Sequence, residues 1–341
     1  MADFELLQRL CQADGVSGRE DRVRELILTE IAPYCTSVTV DPLGNIIAEK
    51  RGQARPLRRV MLDAHMDEVG LIVTDIGENG ELHFKTVGGI DEKVLAGIPV
   101  AVGNAHIPGV IGVRPIHLTD EPDHPIPQKE LTVDIGADSR EEAEPHVQIG
   151  DYIVFCSPYY EENGVLHGKA FDDRAGCAAL IELIRRDQPY DLTFVFSVQE
   201  ELGLRGAKTA AYTVAPDAAV VLEATTAGDL ADVPEARKSC RLRQGAAVSF
   251  MDGATSYDRA FYALALDSAK QAGVSVQTKQ TVTGGNNAGA IHVALGGIRT
   301  VAVSVPCRYL HAPMGLIARS DYEAVLETAA VLSARIAAGE G

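Results

Sequence analysis

Hydrophobic residues recur along this chain with two different spacings, and the spacing changes with position. Phe4, Leu7, Leu10 and Cys11 follow one another at helical intervals, and this first predicted helix stops before Gly15. Strand-like runs then follow, bounded by turn residues. These predicted strands are Ser37–Val40, Asn45–Ala48 and Arg59–Ala64. The opening part of the chain therefore predicts α/β structure.

A second helix is predicted just after Gly15. Ser17 with Glu20 three residues later is a capping-box pattern, in which both side chains bond the first free amides of a helix. Val23, Leu26 and Ile27 supply the apolar face behind it. We therefore expect Ser17 and Glu20 to cap this helix.

Between about Val69 and Glu162 the pattern changes to short alternating runs separated by Gly, Pro, Asp and Asn. Alternation with period two indicates strands that have one buried face. Only a short helix candidate at Ser139–Glu144 interrupts these runs, which are Leu71–Ile76, Leu82–Val87, Ile107–Val113, Leu131–Ile135 and Tyr152–Phe155. We predict a small all-β barrel at residues 69–162, inserted into an α/β domain made of residues 1–68 and 163–341.

After Phe171 helices and strands alternate again. The predicted helices are Asp173–Arg186, Tyr257–Gln271, Ala288–Leu295 and a closing helix after Arg319. The predicted strands are Leu192–Val198, Ala218–Leu222, Val274–Gln277 and Thr300–Val305. The charged, irregular segment Asp229–Gln244 predicts a surface loop, either near the active face or merely exposed. A chain of 341 residues exceeds the usual size of one hydrophobic core, which agrees with two domains.

Composition narrows the class of protein. Hydrophobic residues make up 46% and charged residues 23% of the chain, as in ordinary soluble globular proteins. The 31 basic and 48 acidic residues give a net charge of −17, which argues against nucleic acid or an anionic membrane as a partner.

The cysteines and the apolar runs indicate a cytoplasmic protein. The six cysteines are scattered without a CxxC pair, which is typical of reduced thiols and makes a zinc site built from cysteine improbable. The start, Met1 to Leu10, shows no signal-peptide pattern. Apolar runs such as Ala218–Leu222 are far shorter than the ~20 residues of a membrane span.

Histidines and acidic residues stand where predicted strands give way to loops or helices. Because ligands of open α/β sheets bind beyond the carboxyl ends of the strands, these residues could meet although more than 240 positions separate the first from the last. They are His65 with Asp67, Asp172 with Asp173, Glu200 with Glu201, Glu223, and His311.

Each of these features has an ordinary explanation, such as helix capping for Asp172 and Asp173 or a solvated turn for Glu200 and Glu201. Together they supply every part of a dinuclear hydrolytic site. Such a site needs two histidines, a shared carboxylate, one further carboxylate for each metal, a free carboxylate as base and a carboxylate that orients a histidine. Two-metal hydrolases of this kind include aminopeptidases.

At the level of motifs the sequence resembles the tetrahedral, TET-type metallo-aminopeptidases, a family that includes the glutamyl aminopeptidases. The resemblance extends over nearly the whole chain, and its motifs occur in the family's order. They are residues 15–20 (GVSGRE), 41–45 (DPLGN), 64–70 (AHMDEVG), 134–137 (DIGA), 170–176 (AFDDRAG), 199–203 (QEELG), 288–292 (AGAIH) and 308–313 (RYLHAP).

The resemblance implies a ligand set for two divalent metal ions in each subunit. His65 and Glu223 would hold one ion, Glu201 and His311 the other, and Asp172 would bridge them. Nitrogen and oxygen ligands of this kind suit zinc or cobalt, with manganese also possible.

Two further roles come from the same resemblance. Glu200 would be the general base, and Asp67 would orient the His65 ring. His292 lies inside a predicted helix and keeps a structural interpretation. The implied activity is hydrolysis of the first peptide bond of a short peptide that has a free N-terminus.

The sequence departs from the family at two places. Glu223 stands where the family generally has Asp, so this ligand reaches one methylene further. Residues 284–289 (GGNNAG) replace the family's usual GGTDAG. The loss of that acid near the substrate would reduce repulsion of an acidic side chain, which favours Glu or Asp as the first residue, although the net charge of −17 opposes this.

The resemblance also implies an assembly of dimers into a hollow dodecamer. Because the inserted segment, residues 69–162, carries no predicted ligand or base, we expect it to form contacts between subunits. The shell would admit only small or unfolded peptides.

Two other functions compete with this prediction. A carboxypeptidase or amide deacylase could use a related di-metal site, and end-labelled peptides would distinguish it. The other competing function is glycan binding or glycan cleavage, with which some relatives are labelled. A glycosidase uses aromatic platforms and a paired acid and nucleophile, but this chain has no Trp and only 5% aromatic residues.

Overall fold

The computed structural model describes residues 2–113, 115, 117 and 126–341. Within these ranges the chain forms eight α-helices and seventeen β-strands. The helices are α1 (Phe4–Gln12), α2 (Asp21–Ile31), α3 (Arg140–Ala143), α4 (Phe171–Arg185), α5 (Arg205–Val214), α6 (Arg259–Ala272), α7 (Ala288–Ile291) and α8 (Arg319–Ala337).

The strands lie between these helices along the chain, the first eight of them between α2 and α3. They are β1 (Ser37–Val40), β2 (Ile46–Lys50), β3 (Val60–His65), β4 (Gly70–Ile76), β5 (Leu82–Val87), β6 (Pro99–Val102), β7 (Ile107–Ile111), β8 (Thr132–Asp134) and β9 (Tyr152–Phe155). The remainder are β10 (Tyr160–Glu162), β11 (Val165–Gly168), β12 (Leu192–Ser197), β13 (Ala218–Thr226), β14 (Ala246–Ser249), β15 (Val276–Lys279), β16 (Arg299–Arg308) and β17 (Gly315–Ala318).

A large mixed sheet forms the centre of the α/β domain. Its strand order is β1-β2-β12-β3-β13-β16-β17-β11-β10; off this path, β14 pairs with β16 and β15 pairs with β14. The four central strands β12, β3, β13 and β16 are parallel, so their carboxyl ends lie at the same edge of the sheet. Every residue of β3 is buried, as expected for a parallel strand covered on both faces.

Helices cover both faces of this sheet. Alternate residues of one strand face opposite sides, so Val60 and Leu62 of β3 pack with α1, α2, α4, α6 and α8. Met61 faces the other side and packs with alanines of α5 and with Ala288 and Ile291 of α7. The predicted α/β class is confirmed.

The inserted segment folds as a closed antiparallel barrel with strand order β4-β5-β8-β7-β6-β9. Its own apolar core includes Leu71, Phe84, Val133 and Ile153. This confirms the predicted barrel. The barrel strands end at Phe155, whereas β10 pairs with β11 at the edge of the large sheet.

The structure corrects the predicted capping box. Helix α2 begins at Asp21, and its N-cap residue Glu20 makes no side-chain capping bond. Ser17 and Glu20 are buried and bond elsewhere, as described below. Helix α1, in contrast, is capped by Asp3, whose Oδ1 accepts the Leu6 amide at 3.0 Å.

Other element boundaries also differ from the prediction. β15 is displaced by two residues from the predicted Val274–Gln277, and α7 stops at Ile291 instead of Leu295. The strands β6, β10, β11, β14 and β17 and the helix α5 were not predicted. No helix in the described ranges is both long enough and apolar enough to span a membrane.

Candidate metal centre

Five neighbouring elements bring the five predicted ligands together at the carboxyl edge of the sheet, and one of these ligands, Glu201, follows β12. His65 is the last residue of β3, and Asp172 lies at the start of α4. Glu223 lies within β13, which continues to Thr226 instead of ending at Leu222 as predicted. His311 follows β16. The structure therefore places these residues side by side despite their separation in sequence.

Asp172 is shared between the two histidines. Its Oδ1 lies 3.0 Å from Nε2 of His65, and its Oδ2 lies 3.2 Å from Nε2 of His311. Glu223 Oε1 lies 3.4 Å from the same His65 nitrogen, and Glu201 Oε1 lies 3.0 Å from the same His311 nitrogen. Two donor clusters thus meet at one bridging carboxylate.

Both histidine rings are held through their other nitrogen. Nδ1 of His65 lies 3.0 Å from the Asp67 carbonyl oxygen, and Nδ1 of His311 lies 2.7 Å from the Gly89 carbonyl oxygen. A carbonyl oxygen can only accept, so each Nδ1 donates its proton there. In the neutral rings this leaves the Nε2 lone pairs facing the carboxylates, which is the usual arrangement of metal-bound histidines.

The carboxylates of this site are crowded and incompletely bonded. Glu201 Oε1 is buried and accepts no hydrogen bond. Burial, reinforced by repulsion from Asp173 and Asp172, raises the pKa of Glu223 well above its usual value. Burial also raises the pKa of Glu200 to about 8; the charge of His65 opposes this rise, and Glu201 and Asp172 add to it.

Divalent cations fit this donor set. The described residues contain two groups whose ligand atoms all lie within 4.8 Å of one another, His65–Asp173–Glu223 and Asp172–Glu201–His311. A cation between the Nε2 lone pairs and the facing carboxylates would relieve their mutual repulsion and satisfy the unpaired oxygen of Glu201. Two ions could be held, and nitrogen and oxygen donors suit zinc, cobalt or manganese.

Asp173 and Glu223 each carry a bond that bears on their role. The Asp173 carboxylate accepts the Gly176 amide at 2.9 Å and the His65 amide at 3.3 Å, so it braces the backbone as well as facing the first cluster. Glu223 Oε1 accepts the amide of Ala224 at 3.1 Å. The longer Glu223 side chain therefore folds back and still presents its carboxylate to His65.

The Asp67 carboxylate lies beside the His65 ring and also accepts two backbone amides. Its Oδ1 lies 3.4 Å from Nδ1 of His65 but 2.9 Å from the amide nitrogen of Glu200, and its Oδ2 accepts the amide of Glu201 at 3.1 Å. Asp67 is fully buried. Its carboxylate therefore fixes the backbone of both glutamates in addition to lying beside the ring.

An open cleft of about 540 Å³ lies in front of the two clusters. Its lining includes Glu200 and Lys279, and the Lys279 ammonium donates to the carbonyl oxygen of Thr283 at 3.1 Å. Lys279 is 8% exposed and forms no ion pair with any residue of the described ranges. The described residues therefore leave donors of the Lys279 ammonium unused, and the other charged residues that line the cleft, apart from the histidines, are acidic.

Asn286 and Asn287 were expected to lie near the substrate, but neither of them lines this cleft. The amide of Asn287 donates to Asp63 Oδ2 at 2.7 Å and to the Ser197 hydroxyl at 2.8 Å, beneath the sheet edge. Asn286 donates to the Tyr257 hydroxyl at 2.9 Å. Both asparagines are buried, and the cleft is lined by the preceding Gly284 and Gly285 instead.

Sequence patterns missed several contributors to the site. Gly89 comes from the inserted segment, where no ligand was expected. The preceding Gly88, at φ +85°, lets the chain approach the Glu201 Cβ, which a side chain at Gly88 would contact at 3.2 Å. The predicted surface loop Asp229–Gln244 contributes Ser239 to the cleft. Only the GVSGRE motif signalled the importance of residues 15–20.

Comparison with known proteins gives concordant matches. A model of the M42 glutamyl aminopeptidases matches residues 44–327. The Pyrococcus furiosus protein named lysyl aminopeptidase is 30% identical in an alignment that covers 97% of this chain and 97% of that protein.

Two solved structures share the whole fold. A TET aminopeptidase from a marine sediment archaeon of the Thaumarchaeota is 36% identical with a TM-score of 0.93, covering 98% of this chain and 96% of that one. The Pyrococcus horikoshii TET1 peptidase, described as able to assemble into a tetrahedron or a large octahedral shell, is 34% identical with a TM-score of 0.85, covering 97% and 98%.

Proposed function

Since this chain belongs to the M42 glutamyl aminopeptidase family and is a peptide hydrolase, we propose that it is a two-metal aminopeptidase acting on the first residue of short peptides. The observation that carries the proposal is the position of Asp172 between two histidine–carboxylate clusters, with Glu200 facing the same cleft.

The distances within the site support the ligand roles that the family resemblance implies. His65 and Glu223 would hold one divalent ion, Glu201 and His311 the other, and Asp172 both. When bound, two such ions supply Lewis-acid polarisation of the scissile carbonyl and lower the pKa of a water molecule.

The proton-transfer role falls to Glu200. It lines the cleft, and neither of the two clusters found in the described ranges includes it. Its carboxylate is therefore available to take a proton from the attacking water and deliver it to the departing amine. Asp67 holds the amides of Glu200 and Glu201 and so keeps the base and the adjacent ligand in a fixed relation.

The charge of the cleft supports an aminopeptidase. A free N-terminus is cationic, and the cleft is lined by the carboxylates of Asp172, Glu200, Glu201 and Glu223. The alternative, a carboxypeptidase or deacylase, has one observation in its favour, since Lys279 could bind a terminal carboxylate. Peptides blocked at one end or the other separate these two activities.

Lys279 also supports a preference for an acidic first residue. Lys279 lines the cleft, where its ammonium could pair with a Glu or Asp side chain. The names of relatives do not decide this, because the family description says glutamyl and the Pyrococcus furiosus relative is named lysyl. We propose that the preferred substrates begin with Glu or Asp.

A panel of aminoacyl chromogenic substrates tests the activity and this preference together. We expect glutamyl and aspartyl substrates to be cleaved faster than leucyl ones, lysyl substrates to be the slowest, and N-acetylated substrates to resist cleavage. A hydrogen bond to a charged group contributes about 1.5–3 kcal/mol. Lys279→Met should therefore lower kcat/KM for the glutamyl substrate by about 10–100-fold and for the leucyl substrate by less than about 3-fold.

The matched control is Lys208→Met, at an exposed lysine of α5, which should leave both rates unchanged. Faster cleavage of leucyl or lysyl than of glutamyl substrates by the unmodified protein would contradict the proposed preference. Cleavage of N-acetylated peptides at the opposite end would favour the carboxypeptidase.

We also propose that this chain forms a homo-oligomer of dimers arranged as a tetrahedral dodecamer, with the inserted segment, residues 69–162, in the contacts between subunits. The tetrahedral relative shares the fold over the whole chain. Val110, Val113 and Ile149 of the inserted segment are exposed apolar side chains of the kind found at subunit contacts.

Native mass spectrometry tests this assembly. We expect a species of twelve subunits of 36.3 kDa each, together with dimers under mild dissociation. Small-angle scattering should show a hollow particle at the same concentration. A stable monomer in both measurements would refute the proposal.

A further inference from the structure

The backbone amides of three consecutive residues, Gln199, Glu200 and Glu201, all donate to buried carboxylates from distant parts of the chain. Glu200 is the proposed base and Glu201 a proposed ligand. The amide of Gln199 donates to Glu20 Oε1 at 3.2 Å. The amides of Glu200 and Glu201 donate to the two oxygens of Asp67 at 2.9 and 3.1 Å. We name Glu20, Asp67 and these amides the carboxylate cradle. The cradled turn follows β12, where the strand's own hydrogen bonds have ended.

The cradle extends into the GVSGRE segment. The Ser17 hydroxyl donates to Asp67 Oδ2, and Glu20 Oε1 also accepts the amide of Gly18 at 2.7 Å. Ser17 is 0% and Glu20 4% exposed. Burying a carboxylate is unfavourable unless it is well bonded, so the position of Glu20 is explained by the bonds it makes here and not by capping of α2.

The backbone that the cradle holds is unusual for its sequence. Gln199 has φ 55°, in the left-handed region that residues other than glycine seldom adopt. Such a conformation persists only when surrounding contacts fix it. The bond from Gln199 to Glu20 is one of these contacts, and Glu200 is the next residue along the chain.

We propose that Glu20 is a positioning residue for hydrolysis. By accepting the Gln199 amide it fixes the direction in which Glu200 leaves the turn, so that the carboxylate of Glu200 stays on the cleft side while that of Glu201 stays beside His311. This inference rests on the proposed function. It assigns the positioning of Glu200 to Glu20, a residue that does not line the cleft.

The arrangement distinguishes positioning from ligand binding. Glu20 bonds the amide before the base, whereas Asp67 bonds the amides of the base and the ligand themselves. Loss of Glu20 should therefore displace Glu200 while the ligand atoms of His65, Asp172 and Glu223 stay in place. Misplacement of a catalytic group by about 1 Å can cost on the order of 10²-fold in rate.

The experiment compares Glu20→Ala with Glu20→Gln in the full chain. The alanine variant loses the acceptor, and we expect kcat to fall about 10–100-fold while KM changes by less than about 3-fold. The glutamine variant keeps an oxygen that can accept the same two amides, so its kcat should return to within about 3-fold of the original. Both variants should still bind two Co²⁺ ions per subunit in a spectroscopic titration.

Glu182→Ala is the matched control. Glu182 is also a buried glutamate that accepts a backbone amide, that of Asp3 at 3.1 Å, but it lies in the part of α4 remote from the cleft. It should lose thermal stability without loss of kcat. Equal losses of kcat in Glu20→Ala and Glu182→Ala would show that Glu20 is merely structural, and would overturn the proposal.

Hydrogen exchange separates this inference from the proposed function. Amides 199–201 should exchange faster in Glu20→Ala than in the unmodified protein or in Glu20→Gln, whether or not a substrate is known. Inactivity of the unmodified protein on every aminoacyl substrate would refute the proposed function alone. Unchanged exchange, an unchanged kcat in Glu20→Ala, or failure of Glu20→Gln to restore kcat would overturn the positioning role. If Glu20→Ala does not fold, Glu20→Asp replaces it in the comparison. The aspartate is one methylene shorter, so the proposal requires kcat to be lower in Glu20→Asp than in Glu20→Gln.

Discussion

Dialysis against a strong chelator should abolish peptide hydrolysis, and Co²⁺, Zn²⁺ or Mn²⁺ should restore it. Apart from the two histidines, the only basic side chain that lines the cleft in the described ranges is Lys279, which we assign to the side chain of the first residue and not to the scissile carbonyl. The polarisation of that carbonyl must therefore come from bound cations, which contribute several kcal/mol to the transition state. A loss of that size corresponds to at least about 10³-fold in rate.

The same treatment should lower thermal stability. Asp172, Glu201 and Glu223 are crowded against the two histidines, and removal of compensating cations leaves their charges and the unpaired Glu201 oxygen uncovered. Calorimetry with and without chelator measures this shift, and elemental analysis should give two ions per subunit in the active protein. Full activity in protein shown to be metal-free would end the two-metal hypothesis.

The central fold could be predicted because its strands carry the simplest signal. β3, β12, β13 and β16 are short, nearly continuous apolar runs, as parallel strands covered on both faces must be. The barrel strands alternate because one face is solvated. Elements without either pattern were missed. β10 is exposed along its whole length, and the buried stripe of α5 (RGAKTAAYTV) is made of Gly206, Ala207, Ala210 and Ala211, whose small side chains give a weak apolar signal in the sequence.

The grouping of the candidate ligands could be predicted because they stand where predicted strands give way to loops or helices, and their individual roles came from the family resemblance. The contacts that support the site could not be predicted, because they join segments that only the folded chain brings together. Glu20 lies 179 positions from Gln199, and Gly89 lies 222 positions from His311. The Ser17–Glu20 pair also shows that a capping-box spacing is ambiguous. In the buried interior the Ser17 hydroxyl donates to Asp67 instead, and Glu20 accepts the amide of Gln199.

The second large effect separates Glu200 from Glu201, which look interchangeable in the sequence. Their amides bond different oxygens of one carboxylate, that of Asp67, and their side chains leave the turn separately. Glu201 Oε1 lies 3.0 Å from His311 Nε2, within the second cluster, whereas Glu200 lines the cleft outside both clusters found in the described ranges. The geometry therefore favours Glu201 as the metal ligand and Glu200 as the proton acceptor.

The two tasks demand opposite behaviour of a carboxylate. A ligand must stay ionised, since a bound cation strongly disfavours its protonation, whereas a base must accept a proton and release it to the leaving amine. Glu200→Gln keeps the shape of the side chain but cannot take the proton. We expect this variant to retain two ions per subunit and to lose about 10²–10⁴-fold in kcat, the usual contribution of general-base catalysis.

Glu201→Gln should fail in a different way. Replacing one oxygen of a ligand with an amide weakens the ion held with His311, so metal content should fall below two per subunit and excess metal should partly restore activity. His292, which bonds the Ala288 carbonyl oxygen within α7, provides a control position, and His292→Gln should leave metal content and kcat unchanged. Metal stoichiometry and kcat, measured on all three variants, decide the assignment. If Glu200→Gln loses metal while Glu201→Gln keeps both ions and is inactive, the two roles are reversed, because only the residue that binds the cation can change its occupancy.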